Sequence, residues 1–399
     1  MSDAPVAPAT EIPQEARDRA RELGWEDGLI ETALQSGHSL QEIWQALRGG
    51  VDGQRAKQFL AGGAMIRPDF AWMKVPTEWG IRARASDPQI GLTIGDLNVG
   101  TYGDIPDVWN NRSEIARGSY PSAHVEDMGY TIFTKALVWA DNCVPLYEEA
   151  IRDRWVSATD LPWDTLEPLP DDIEKAVCQL MTEMSDRAYF EGALLSGWLP
   201  EISYGYLELK LFLSTVIYDV ARHSEAFRKR ALSNGGGLGL QAPTDYSRAA
   251  QEARSFPELA DILFVQDSML LTLFKNGDLF AQNSLERELY RLCARDRQRL
   301  MDYHIERLKH FLFKMPERRE EQGLYFGKAE HRMAKDWNDR VVAEPLAILL
   351  AGGKDNIEAG ERKLRELRRL QVQEYVDNLR KATFHRQNLN GRFKELLED

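Results

Sequence analysis

Between Ser203 and Leu232 runs SYGYLELKLFLSTVIYDVARHSEAFRKRAL, with a single histidine, His223, on its apolar stripe. Leu209, Leu213, Val216, Val220, His223 and Phe227 recur at steps of three and four, the spacing of one helix face. An imidazole in that setting either hydrogen-bonds within a core or ligates a metal. Asp267 shares a helical face with Leu263, Leu270 and Phe274, and Arg297 shares one with Tyr290, Cys293, Leu300 and Met301. His304 stands one turn beyond Leu300. His223, His304 and Asp267 compose a two-histidine, one-carboxylate set, which suits a single non-haem Fe(II) that activates oxygen. Arg297 opposes that use, because a guanidinium beside the site repels a dication. Either charge buried alone costs several kcal/mol, whereas opposite charges on facing helices satisfy each other, so an Asp267–Arg297 ion pair is expected. Glu191 lies on an inner stripe with Met184 and Ala188, as a salt-bridge partner or as a carboxylate at a pocket mouth. Metal-free acid–base chemistry from Glu191, His223 or Asp267 is a third use of the same residues.

The run Asp219-Val220-Ala221-Arg222-His223 resembles the Asp-Glu-Ala-Arg-His metal motif of the ferritin-like di-iron carboxylate proteins. The ATDLPWD turn at 158–164, the Cys178-Gln179-Leu180-Met181 helix and the GGGLG turn at 235–239 extend the resemblance over about 130–350. In that family a Glu from each of two helices and a Glu-x-x-His from each of two others hold the metals. Carried over by position, the ligands fall at Ala188, at Val220 and His223, at Asp267, and at Arg297 and Leu300. Only His223 and Asp267 keep a metal-binding side chain; Glu183, Asp186 and Glu191 lie near Ala188. The resemblance therefore implies a ferritin-like four-helix bundle with a degenerate di-metal site and no cofactor. It implies a non-catalytic binding or assembly partner, working with an active ferritin-like relative or as a homodimer. The alternative is a non-haem iron-dependent oxygenase or oxidase with a remodelled centre, using His223, Asp267 and His304.

The elements that must hold these residues read as helices throughout, and strand signals are almost absent, so the class is all-α. A chain of 399 residues supports a large core and usually two domains. A formal charge of −13 argues against nucleic acid or an anionic membrane as the main partner. No apolar run reaches the roughly 18 residues of a spanning helix, and no basic-then-apolar signal opens the chain. Cys143, Cys178 and Cys293 are odd in number and far apart, as reduced core residues of a cytoplasmic protein would be.

Residues 1–12 read as a disordered lead and 13–63 as a small helical module, with Gly24, Gly37, Gly49 and Gly62 at helix ends. Its Leu-Gly-Trp turn resembles ubiquitin-associated and related three-helix modules, which suits a structural cap or a docking unit. Residues 64–127, broken by five prolines, read as an irregular arm around the bundle or a partner, or as a lid. From 128 to 399 the periodicity predicts the bundle, with helices near 129–157, 171–195, 203–232, 256–276 and 283–313. Extra C-terminal helices follow near 325–351, 356–385 and 389–397. The glycine run from Asn234 to Gly239 follows no strand, so it reads as a flexible C-cap and turn, not as a phosphate cradle.

Overall fold

The computed structural model describes residues 12–60, 71–75, 78–121, 125–386 and 388–395. Most of the expected N-terminal lead, Gly62 and the first residues of the expected arm lie outside the described residues. The chain divides into two compact units, Met1–Pro76 and Thr77–Asp399.

The first unit holds four short helices: α1 (Gln14–Glu22), α2 (Leu29–Gln35), α3 (Leu40–Arg48) and α4 (Gly53–Leu60). Trp25 packs with Ile30, Ile43 and Leu47, and its indole N–H donates to the Val51 carbonyl at 2.7 Å. Ser39 and Glu42 cap α3 reciprocally, the serine amide donating to the glutamate at 2.7 Å. The left-handed residue after α3 is Gly50 (φ 73°), one position later than expected, because Gly49 stays helical.

The second unit is all-α. After a single turn, α5 (Gly100–Gly103), come α6 (Cys143–Arg152), α7 (Asp171–Trp198), α8 (Leu207–Ser233), α9 (Asp245–Gln251), α10 (Phe256–Lys275) and α11 (Ser284–Lys314). Then follow α12 (Arg319–Trp337), α13 (Arg340–Ala351), α14 (Ile357–Lys381) and α15 (Gly391–Glu395). The described residues contain no strand, only two isolated bridges, Val108 with Thr134 and Ile132 with Ile202. Among them, no helix is long and apolar enough to cross a membrane.

The helices α7 and α8 pack along each other, as do α10 and α11. The helix α13 lies on α7, α12 and α14 lie on α10, and α14 packs on α13. Every residue of α10 from Phe256 to Phe274 is buried, which makes it the central helix. Its polar residues, Asp261, Gln266, Asp267 and Thr272, therefore depend on partners inside the protein.

Two expected helices are corrected. The stretch 129–157 is α-helical only over Cys143–Arg152, because the chain before it is claimed by the arm. The Trp109 amide donates to the Phe133 carbonyl at 2.9 Å and the Lys135 amide to the Asp107 carbonyl at 2.8 Å. Non-local pairing has overridden the local period. The arm is further tied down by Arg117, which binds the buried Glu208 carboxylate and stacks 4.5 Å from the Tyr102 ring. The second correction lies in 325–351, which is two helices. Asp339 ends the run and caps α13, its Oδ1 accepting from the Val341 amide at 3.1 Å.

The glycine run after α8 begins as the expected C-cap, with Gly235 at φ 85°. It then continues as a strap along α7. The Leu240 amide donates to Gln179 Oε1 at 2.7 Å and the Gly239 amide to Thr182 Oγ1 at 2.8 Å. Gly236 sits against Cys178 and Glu174, so the run is held by side chains of α7. All three cysteines are free and buried.

Candidate functional site

Two helices carry the same local pattern, Asp-x-x-Arg: Asp219 and Arg222 on α8, Asp296 and Arg299 on α11. Three residues apart on a helix, each pair shares a face, and the two faces meet. Arg222 binds Asp219 on its own helix and reaches Asp296 Oδ2 at 2.8 Å. Arg299 returns the arrangement, with Nη2 2.6 Å from Asp296 Oδ1 and 3.0 Å from Asp219 Oδ2. The result is a closed square of two carboxylates and two guanidinium groups that locks α8 to α11.

Asp296 is the hub of that square. It also accepts from the Trp155 indole N–H at 2.8 Å, and His223 Nε2 lies 3.0 Å away. Trp155 stacks on His223 and lies 4.6 Å beneath the Arg222 guanidinium, and its carbonyl accepts from Arg222 at 3.1 Å. Burial raises the Asp296 carboxyl, but the His223 hydrogen bond and the charges of Arg299 and Arg222 outweigh it and hold it below the usual carboxylate range. Burial pushes His223 down to about 4 and, with the charge of Asp296, Asp219 up to about 6. The imidazole is thus neutral at neutral pH. An ionised Asp296 can only accept, so Nε2 carries the proton and donates it.

A second cluster adjoins the first. Arg297 reaches across from α11 to Glu191 of α7 at 2.5 Å and binds Asp267 of α10 with the same nitrogen. His304 Nε2 stands 2.8 Å from the other Asp267 oxygen, and Gln266 donates to Glu191 at 3.3 Å. All five side chains are buried. Burial raises Glu191 to about 7 against the pull of Arg297, and burial lowers His304. Glu191 Oε1 has no hydrogen-bond partner among the described residues.

Val220, His223, Arg297 and Leu300 line one small cavity with Asp219, Asp296, Arg299, Phe212 and Val216. Its volume of about 10 Å³ is the size of a single water. The carried-over positions of α8 and α11 therefore meet around one point. On α7, Ala188 is a buried core residue, and the carboxylate that meets Arg297 is Glu191. Glu191 is fully buried and stands at no pocket mouth. His223, Asp267 and His304 are not brought together as one set, because Asp267 binds His304 while His223 is spent on Asp296. Among the described residues, no three His, Cys, Asp or Glu side chains converge as a metal-ligand group.

Sequence reasoning missed the Asp219–Arg222–Asp296–Arg299 square and the role of Trp155. The available signal was the repeated Asp-x-x-Arg in two helices of the expected bundle. Further buried ion pairs repeat the theme: Arg230 with Glu174 at 2.7 Å and Glu286 at 2.8 Å, and Arg307 with Asp261. No family model, curated protein or solved structure matches this chain.

Proposed function

We propose that this chain is a ferritin-like protein whose di-metal centre has been replaced by ion pairs, and that it serves as a non-catalytic binding or assembly partner. The observation that carries the reading is the seat of Arg297. Its guanidinium lies between Glu191 and Asp267, on the α11 position where the resemblance expects a glutamate. That exchange changes the local charge by two units towards positive, which removes the need for a bound dication and repels one. Val220 and Leu300 offer no ligand atoms, and His223 and His304 already bind carboxylates. What the bundle then offers a partner is a framework whose helices are joined by buried ion pairs.

The test is metal analysis of the protein purified from iron- and manganese-supplemented cells, beside Arg297→Glu, with native mass spectrometry of the same preparation. Metal well below one ion per chain, together with a stoichiometric second chain, agrees with the proposal. A gain of metal in Arg297→Glu also supports the ancestry of the site. Near one ion per chain in the unmodified protein, lost in His304→Ala, would overturn it in favour of an iron-dependent oxygenase with a rebuilt centre.

A further inference from the structure

We propose that the cleft between α14 and the C-terminal residues Arg386, Asn388, Leu389 and Lys394 binds a small organic anion. Lys394 and Arg380 meet its charged head, and Val372, Val376 and Leu389 carry its apolar body. The cleft shares no residue with the two buried clusters around Asp296 and Arg297, so the inference does not depend on the metal question.

The cleft has a volume of about 680 Å³, within the range of small-molecule sites. Both walls are fixed. The helix α14 packs on α10 and α13, and its Gln371 side-chain amide donates to the Met269 carbonyl at 2.7 Å. The opposite wall is organised by one buried carboxylate, Glu330 of α12. Arg386 binds it through Nε at 2.8 Å and Nη2 at 2.9 Å, and the Asn390 amide donates to it at 2.8 Å. Phe393 is buried against the Tyr375 ring, with centroids 5.4 Å apart, which holds α15 to α14.

The charges of this cleft do not cancel. Arg369, Arg380, Arg386 and Lys394 line it against a single carboxylate, Asp377. Four cations less Asp377, and less the Glu330 that holds Arg386 from behind, leave two positive charges in excess. Asp377 pairs with Arg380 at 2.8 Å through exposed side chains, a bond that costs little to exchange. The ammonium of Lys394 makes no hydrogen bond or ion pair with any described residue; only its backbone amide is engaged, donating to the Asn390 carbonyl at 2.8 Å. In a chain of charge −13, this excess is a local inversion of sign, and an anion relieves the repulsion within it.

The apolar lining sets the rest of the ligand. Val372 is buried and Val376 and Leu389 are half-buried, whereas Arg380 and Lys394 are exposed, so apolar surface lies beneath a cationic rim. An inorganic anion leaves that surface in water, and an aromatic or aliphatic body covers it. The exposed side-chain amides of Gln373 and Asn388 add donors for an anionic oxygen.

The experiment is isothermal titration calorimetry on the full chain with 1-naphthyl phosphate, beside 1-naphthol, inorganic phosphate and a Gly-Glu-Leu-Glu-Gly peptide. Saturable binding of 1-naphthyl phosphate, tighter than that of the other three, is expected. Lys394→Gln and Arg380→Gln should each weaken it roughly tenfold, since each removes one charge-assisted contact from an exposed position. Arg340→Gln, which removes an exposed cation on α13, should leave it unchanged. Absence of saturable binding, or equal weakening by all three variants, would overturn the proposal. Binding of 1-naphthol as tight as that of its phosphate would overturn the anion, and equally tight inorganic phosphate would overturn the apolar body. Tighter binding of the acidic peptide would overturn the small molecule as occupant.

Discussion

Glu191 and His223 stand in one buried polar core, and burial moves both towards their neutral forms. For His223, pushed from 6.5 down to about 4, the unfolded state binds more protons between those values, so its contribution falls as pH drops through that window. For Glu191, raised from 4.5 to about 7, the native state binds the extra proton, and its contribution falls as pH rises through its own window. The two slopes oppose each other over the shared range. The glutamate limb is isolated by comparing the wild type with Glu191→Gln in urea unfolding at several pH values. The variant should gain on the wild type between pH 4.5 and 7, by a total on the order of 2 kcal/mol, and run parallel to it above pH 7.5. A gap that does not change with pH would mean that Glu191 stays ionised throughout.

At the scale of the element, the strap after α8 makes a sharper claim than its composition suggests. A flexible turn tolerates alanine at any glycine with ordinary backbone angles. Here a Cβ on Gly239 would stand 2.9 Å from the Gln179 Cα, whereas one on Gly237 would meet nothing within 4 Å. Gly239→Ala should therefore cost about 1–3 kcal/mol and Gly237→Ala less than about 0.5, read from thermal unfolding. Equal midpoints would return the segment to a loose turn. The same contrast between local and non-local forces explains what was legible along the chain. The long helices 171–195, 203–232, 256–276 and 283–313 were readable because each presents a continuous apolar stripe, and their observed ends lie within a few residues. The 129–142 stretch was misread because its helical period is satisfied instead by backbone bonds to residues 107–109, and nothing local announces such pairing.

Across the whole molecule, the buried charges form cross-braces between helices. Asp267 and Arg297 were legible as inward-facing residues because each sits among apolar neighbours on its helix. Glu191, as the third member of their cluster, needed the true register of α7 against α11, which a motif without an aligned relative leaves open by a turn. The braces make a joint prediction about the fold. Arg297 compensates two carboxylates at once, so Arg297→Leu leaves Glu191 and Asp267 facing each other inside the core. Removing one partner of a buried ion pair costs about 3–5 kcal/mol, whereas replacing every member by neutral groups of similar size is often nearly neutral. Glu191→Gln, Asp267→Asn and Arg297→Leu together should recover most of what Arg297→Leu alone loses, measured by urea unfolding at pH 7.5. His304 retains an acceptor in that variant, because an asparagine oxygen can replace the Asp267 oxygen that it meets at 2.8 Å. A triple variant as unstable as the single one would show that the cluster holds α7, α10 and α11 by shape and directed hydrogen bonds, and that charge balance is secondary.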